Sequence, residues 1–226
     1  MTVEPTPGVL CLQGGREFTP SCEAMDRTVI GRCNGAVAVL AGAARVGSDY
    51  TGASARAADH YRALGAEVTI VPDPRDDPTR ALAVLGDGIG LIVMPGGSPS
   101  SLLEVLIAVD GGSIGARVVE SWRSGVGVSG ASAGAMVMCA RTATPDRARG
   151  IADGLDLVAG LAVPHWSPGS ERRWRLPDGL VWGLPECGGV LIAGTDMTAV
   201  GRGNPSVRID GSWHRIARDG SEPVPT

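Results

Sequence analysis

The sequence contains no lysine, so all 20 of its basic residues are arginine, and 24 acidic residues leave a formal net charge of −4. This balance lacks the basic surface that nucleic-acid binding needs. No apolar run reaches the roughly 18 residues that cross a bilayer, and the N-terminus lacks the basic segment that opens a secretory signal. We therefore expect a soluble cytoplasmic protein with neither nucleic-acid nor membrane partners.

Cysteine is sparse and shows no metal-binding pattern. The five cysteines form no CxxC pair, whereas zinc and redox sites usually place cysteines in such pairs. We expect reduced thiols, no bound metal and no other cofactor. A catalytic cysteine is disfavoured, because none lies in a motif that would activate its thiol.

Short apolar runs alternate with helical patterns along the first two thirds of the chain. The runs at 8–13, 35–43, 67–72 and 90–97 are typical of strands buried on both faces. Between them, residues 48–66 show the pattern of an amphipathic helix. This alternation predicts an α/β fold, a three-layer sandwich built on a mainly parallel sheet with helices on both faces.

The pattern changes after residue 160, where short strands and tight turns predict an antiparallel C-terminal extension of the same sheet, with one helix near 170–176. The length fits a single catalytic domain over 1–226, whose last roughly eight residues are expected to form a loose tail. The long polar stretch 16–26 follows a strand end and is a candidate lid; whether it closes over a site stays open.

Two glycine-rich junctions suggest a site at the carboxyl edge of the sheet. Ser132 lies in the G-x-S-x-G pattern "GASAG", between a predicted strand and a predicted helix. The other junction, Gly96–Gly97, follows "LIVMP". Because the carboxyl ends of parallel strands share one edge, the amides of Gly97 and Ala133 are expected to form an oxyanion hole. A small-residue turn that merely lets a helix pack close to the sheet would give a similar pattern.

A serine nucleophile needs a base, and the chain has three histidines. His165 follows a short apolar strand at the predicted edge, so it is the best candidate. His60 is predicted to be a half-exposed helix residue, and His214 a surface residue of a late hairpin. The carboxylate that would orient the base stays open among Glu186, Asp146 and Asp196.

Several segments together resemble the peptidase E and cyanophycinase family of serine peptidases, which has a flavodoxin-like sheet of the class I glutamine amidotransferase type. They are "LQGGREF", "VMPGGSPSSLLEVL", "GASAGAMVM", "VPHW", "ERRWRL" and "GLPECGGVLIAG", in the family's order. The resemblance implies that Ser132 is the nucleophile and His165 the base, with oxyanion donors at Gly97 and Ala133. A cyanophycinase-like pattern makes Glu186 the acid, which we favour, whereas a peptidase E-like pattern makes it Asp146.

The resemblance also implies a small substrate, an aspartyl dipeptide or a β-aspartyl peptide, cleaved through an acyl-enzyme on Ser132. The substrate-binding positions that it implies are Gly96, Trp166, Arg172, Arg173 and Arg175. Trp166 stands where the family is expected to have phenylalanine. Whether the chain forms a homodimer stays open.

Three other interpretations compete with this one. A glutamine amidotransferase would have cysteine at position 132 and glutamate two residues after the histidine, where this chain has Ser132 and Ser167. An α/β-hydrolase esterase would use the chain order Ser132, Asp196, His214. A non-catalytic member of the same fold would bind a small molecule without chemistry.

Overall fold

The computed structural model describes residues 5–107, 113–145, 150–174, 176–218 and 220–225. Its helices are α1 (Glu23–Ile30), α2 (Ser48–Ala63), α3 (Pro78–Val84), α4 (Pro99–Ile107), α5 (Ile114–Arg123) and α6 (Ala133–Met138), with a 3₁₀ turn at Ser170–Arg173. Its strands are β1 (Leu10–Gln13), β2 (Ala36–Val39), β3 (Val68–Ile70), β4 (Ile89–Met94), β5 (Gly127–Ala131), β6 (Cys139–Thr144), β7 (Gly150–Asp153), β8 (Val158–Val163), β9 (Val181–Gly183), β10 (Gly188–Ala193), β11 (Asp196–Gly201), β12 (Ser206–Ile209), β13 (Ser212–Arg215) and β14 (Glu222–Pro223).

The main sheet has eight strands in the order β14-β11-β10-β1-β5-β4-β2-β3. Five of them, from β1 to β3 in that order, are parallel to one another. The strands β10, β11 and β14 continue the sheet beyond β1 as antiparallel neighbours. The predicted parallel sheet with an antiparallel C-terminal extension is therefore present, and the apolar runs of the sequence form its central strands.

Helices cover both faces of this sheet, because alternate strand residues point in opposite directions. On β1, Leu12 packs into one apolar cluster together with α3 to α6, and Cys11 packs into a second cluster together with α1 and α2. Met94 and Val93 of β4 divide between the two clusters in the same way. The result is the three-layer α/β arrangement that the sequence predicts.

The strands after α6 differ in part from the sequence prediction. Instead of joining the main sheet, β8, β9 and β12 lie in a second, six-stranded sheet of order β13-β12-β9-β8-β6-β7. In β8, Ala162 faces the main core, whereas Leu161 and Val163 pack with Trp166 in a separate cluster. Such a strand needs apolar cover on both faces, and the second layer provides it.

The described residues of the C-terminal segment make backbone contacts with the main sheet. Glu222 and Pro223 form β14 on the edge of the main sheet, and Arg218 donates to the carbonyl oxygens of Gly201 and Gly203. The amide of Val224 donates to the carbonyl oxygen of Thr195 at 2.8 Å. Backbone pairing, which composition does not reveal, fixes this segment.

Candidate active site

Ser132 occupies a tight turn between β5 and α6. Its φ of 50° and ψ of −109° lie in a region that residues other than glycine rarely adopt. The flanking glycines permit the turn: a Cβ on Gly130 would lie 2.4 Å from the carbonyl carbon of Gly134, and a Cβ on Gly134 would lie 2.0 Å from the carbonyl oxygen of Met94. The small residues of "GASAG" are therefore required by the close approach of strand and helix.

The turn brings Ser132 into contact with His165. Ser132 Oγ lies 3.1 Å from His165 Nε2, and His165 Nδ1 lies 3.3 Å from Glu186 Oε1. The side chains of His165 and Glu186 are 51% and 47% exposed, so the arrangement is open to solvent on one side. A hydroxyl, an imidazole and a carboxylate in this order can activate the hydroxyl as a nucleophile.

One short backbone segment holds all three loops together. The consecutive carbonyl oxygens of Gln13–Gly15 accept, in order, the amide N–H groups of Ser132 (2.9 Å), His165 (2.9 Å) and Cys187 (3.0 Å). Cys187 directly follows Glu186. The spacing of the Ser132, His165 and Glu186 loops is therefore set by the end of β1, a central strand of the main sheet.

The glycine pair "GG" at the end of β1 is required by the same packing. Gly15 has a φ of +124°, and a Cβ there would lie 2.3 Å from His165 Cε1. A Cβ on Gly14 would lie 2.1 Å from the carbonyl oxygen of Pro185. Without side chains at these positions, the imidazole and the loop that carries the carboxylate both lie directly on the backbone.

A buried polar network anchors the strand that carries this segment. Gln13 Nε2 donates to Asp26 Oδ1 at 2.8 Å and to Ser129 Oγ at 3.0 Å. His60 Nε2 lies 2.7 Å from Asp26 Oδ2. The prediction of a half-exposed His60 is wrong, because its side chain is 9% exposed and belongs to this network. Burial raises the pKa of the neighbouring Tyr61 well above its usual range.

The glycine junction after β4 lies beside the serine turn. Gly97 has a φ of +146°, and a Cβ there would lie 2.4 Å from the carbonyl oxygen of Ala43, so only glycine fits. A Cβ on Gly96 would lie 3.1 Å from Ser132 Cβ. Ala133 is the first residue of α6, so its amide N–H has no partner within the helix.

Two residues that the sequence did not single out, Arg16 and Glu17, face the site. Arg16 Nη1 lies 3.6 Å from Glu186 Oε2, and Glu17 Oε1 accepts the amide N–H of Gly96 at 2.9 Å. Within the candidate lid segment 16–26, Glu23 to Asp26 belong to α1. The position of Arg16 and Glu17 directly after a strand at the carboxyl edge is the signal that could have identified them.

The predicted substrate-binding positions have different surroundings. Arg172 is exposed on the 3₁₀ turn, where Arg173 also lies, although the side chain of Arg173 lies outside the described structure. Arg175 and Asp146 lie outside the described residues. Trp166 is 8% exposed and packs against Trp213 with ring centroids 5.1 Å apart, so we assign it a packing role.

The alternative order Ser132, Asp196, His214 does not form a contact chain. His214 is exposed on β13, and Asp196 lies at the turn between β10 and β11, where its Oδ2 accepts from Ser221 Oγ at 3.5 Å. Within the described residues, the imidazole that contacts Ser132 is that of His165. The geometry therefore contradicts the esterase-like assignment.

Three buried or half-buried cysteines have raised thiol pKa values. Burial raises the pKa of Cys22 and of Cys33 to about 11 and that of Cys139 to about 12. None of these three is a thiolate, which is the nucleophilic form, near pH 7.

Across the described ranges, we find no cluster of three or more histidine, cysteine or acidic residues able to hold a metal ion. We also find there no helix with the length and apolarity to cross a membrane.

Comparison with known proteins places this chain in a family. The model of peptidase family S51 matches residues 14–199, which include Ser132, His165 and Glu186. No curated protein matches the sequence.

Two solved structures share the fold. One is a peptidase from an acI-B1 actinobacterium, with a TM-score of 0.79, 21% identity and coverage of 97% of this chain and 98% of that chain. The other is a putative peptidase E protein from Listeria monocytogenes EGD-e, with a TM-score of 0.68, 15% identity and coverage of 87% of this chain and 100% of that chain. The family match over most of the chain shows that this protein belongs to peptidase family S51 and is a serine-type peptidase.

Proposed function

We propose that Ser132, His165 and Glu186 are the catalytic triad, and that the protein cleaves a peptide, isopeptide or amide bond of a small substrate through an acyl-enzyme. The observation that carries the proposal is the contact chain from Ser132 Oγ to His165 Nε2, and from His165 Nδ1 to Glu186 Oε1. The positive φ of Ser132 between β5 and α6 fits a nucleophile elbow, in which strain holds the hydroxyl out of the sheet.

The chain of contacts defines the direction of proton transfer. With its Nδ1–H donated to Glu186, His165 presents an unprotonated Nε2 to the Ser132 hydroxyl. As Ser132 Oγ bonds to the substrate carbonyl carbon, Nε2 takes its proton. The C–N bond then breaks and His165 passes that proton to the leaving amine. Water attacks the acyl-enzyme, gives a proton to His165, and releases the acid as Ser132 recovers its hydrogen.

The amides of Gly97 and Ala133 are the proposed oxyanion donors. Ala133 directly follows the nucleophile, and its N–H has no intrahelical acceptor. Gly97 directly follows Gly96, where a built Cβ would lie 3.1 Å from Ser132 Cβ. Losing one such donor typically costs about 3 kcal/mol of transition-state stabilisation.

The proposed substrate is an aspartyl dipeptide or a β-aspartyl peptide. Its support is the family resemblance together with the arginines that follow the base, of which Arg172 is exposed to solvent. Arginine is suited to this role, because its planar guanidinium binds a carboxylate through two hydrogen bonds. We assign the substrate carboxylate to Arg172, with Arg173 and Arg175 as its neighbours in sequence.

A small peptide panel tests the proposal. It contains α-aspartyl dipeptides, β-aspartyl dipeptides including β-aspartyl-arginine, and neutral dipeptides, with products identified by mass spectrometry. We expect wild-type protein to cleave one aspartyl class, Ser132→Ala to cleave none, and the exposed control Ser212→Ala to retain the activity. Equal cleavage of the neutral dipeptides would contradict the substrate class, and cleavage by Ser132→Ala would contradict the nucleophile.

A further inference from the structure

We infer that Glu17 is a specificity-determining residue that binds a positively charged amino group on the acyl side of the scissile bond. The protein would then require substrates whose acyl group carries a free amino group, on the carbon next to the scissile carbonyl in an α-aspartyl dipeptide and one carbon further away in a β-aspartyl peptide. This inference rests on the proposed function, since it assumes that the acyl group is bonded to Ser132. It concerns a residue outside the triad and the oxyanion donors.

Glu17 lies beside the nucleophile. Its Oε1 accepts the amide N–H of Gly96 at 2.9 Å. A Cβ built on Gly96 would lie 2.7 Å from that oxygen and 3.1 Å from Ser132 Cβ. The side chains of Glu17 and Ser132 therefore lie close together, next to Gly96. A substrate acyl group attached to Ser132 Oγ would therefore have the Glu17 carboxylate as a close neighbour.

This carboxylate has no cationic partner of its own. Within the described residues Glu17 makes no ion pair, because the adjacent Arg16 is directed to Glu186 at 3.6 Å. Glu17 is only half-buried, and one hydrogen bond to a backbone amide leaves further acceptor positions on its two oxygens. A substrate ammonium group, which donates up to three hydrogen bonds and carries the opposite charge, complements it.

Local contacts on both sides of Glu17 hold its backbone in place. Arg16 and Phe18 have φ values of 57° and 61°, and the carbonyl oxygen of Arg16 accepts the Thr19 hydroxyl at 2.9 Å. The Phe18 ring packs against His60 with centroids 5.4 Å apart, and so ties the turn to the buried network. A carboxylate held in this way loses little conformational entropy on binding, which favours affinity.

The alternative role for Glu17 is purely structural, as an acceptor that holds Gly96 in place. The variant Glu17→Gln separates the two roles, because a glutamine side-chain oxygen can still accept the Gly96 N–H but carries no charge. Glu67→Gln is the matched control. It removes the same charge from an exposed residue that precedes β3, at the amino end of the sheet.

The test measures protection of Ser132 and does not depend on finding the natural substrate. A fluorophosphonate labels the serine, and boronic acids that form a reversible adduct with its hydroxyl compete. The competitors are the boronic acid analogues of alanine and aspartate, each as the free amine and as the N-acetyl derivative. Intact mass gives the labelled fraction, and thermal unfolding confirms that each variant is folded.

We expect the free amines to protect wild-type Ser132 at concentrations roughly 10- to 100-fold below their N-acetyl forms, the range expected for one charge-assisted hydrogen bond. Glu17→Gln should abolish this preference by weakening the free amines alone, and Glu67→Gln should retain it. Equal protection by both forms in wild type, or equal weakening of both forms by Glu17→Gln, would overturn the inference and leave the proposed nucleophile intact. Failure of wild-type Ser132 to label would overturn the proposed function, and the inference with it.

Discussion

The backbone amide of His165 donates to the carbonyl oxygen of Gly14 at 2.9 Å, so the proposed base is fixed to the end of the central strand β1 through the main chain. The next residue, Gly15, leaves room for the imidazole, since a Cβ there would lie 2.3 Å from His165 Cε1. The position of the base relative to Ser132 therefore depends on two glycines far from it in sequence.

This packing predicts that Gly15→Ala displaces the imidazole. The variant adds strain at a φ of +124° and a collision with His165 Cε1. Gly169→Ala is the control, because Gly169 also has a positive φ, of +87°, but a Cβ there meets nothing within 4 Å. We expect both variants to lose roughly 1–2 kcal/mol of stability, and Gly15→Ala alone to lose at least about tenfold in fluorophosphonate labelling of Ser132. Unchanged labelling in Gly15→Ala would contradict the proposed role of this contact.

The choice of acid predicts different effects for two carboxylate variants. Glu186→Gln removes the charge that faces His165 Nδ1 and should lower kcat roughly 10²- to 10⁴-fold, because the imidazole loses the partner that fixes its tautomer. Asp196→Asn should leave kcat unchanged, because Asp196 contacts Ser221 and not the base. Steady-state kinetics on the cleaved peptide measures both effects. A larger effect from Asp196→Asn would show that the acid is misassigned.

The buried network predicts a stability difference between two histidines. His60→Ala leaves Asp26 Oδ2 without its 2.7 Å partner, and an unsatisfied buried acceptor costs about 1–3 kcal/mol. His214→Ala removes an exposed side chain and should change the free energy of unfolding by less than about 0.5 kcal/mol. Urea denaturation at pH 7 compares the two variants. Equal stabilities would show that the Asp26–His60 contact contributes nothing.

The buried thiols predict a loss of stability at alkaline pH. Burial raises the pKa of Cys139 from 9.0 to about 12, so between these values the thiol ionises in the unfolded state but not in the folded one. The contribution is fully present below pH 9 and is lost as the pH rises towards 12. Each such group lowers the free energy of unfolding by up to about 1.4 kcal/mol per pH unit. Denaturation of wild type and Cys139→Ala at pH 8 to 11 should show a shallower decline in the variant, and parallel curves would contradict this assignment.

The sequence predicts the central strands well, because a strand buried on both faces is apolar along most of its length, as the inner part of β4 is. It also predicts Ser132 and His165, since close backbone approach demands the glycines around the serine and the order of elements puts His165 after a strand end. The assignment of β8 to a second sheet was not predictable, because the sequence of a short apolar strand does not indicate which other strands it pairs with. His60 was misjudged for a related reason: its partner Asp26 lies 34 residues away, so local pattern gives no sign of the contact.

Glu17 was not singled out from the sequence, because a charged residue in a loop after a strand usually faces solvent. The role that we infer for it depends on a single tertiary contact, the hydrogen bond from the Gly96 amide. Loop residues of this kind meet at the carboxyl edge of a parallel sheet, so a polar residue directly after a central strand is a candidate substrate-binding residue.

The most direct test of the central claim compares His165→Ala with His214→Ala for fluorophosphonate labelling of Ser132, followed by intact mass. The contact between Ser132 Oγ and His165 Nε2 at 3.1 Å predicts that labelling is lost in His165→Ala and retained at the wild-type rate in His214→Ala. Wild-type labelling of Ser132 in His165→Ala would show that His165 is not the base, and would contradict the proposed triad.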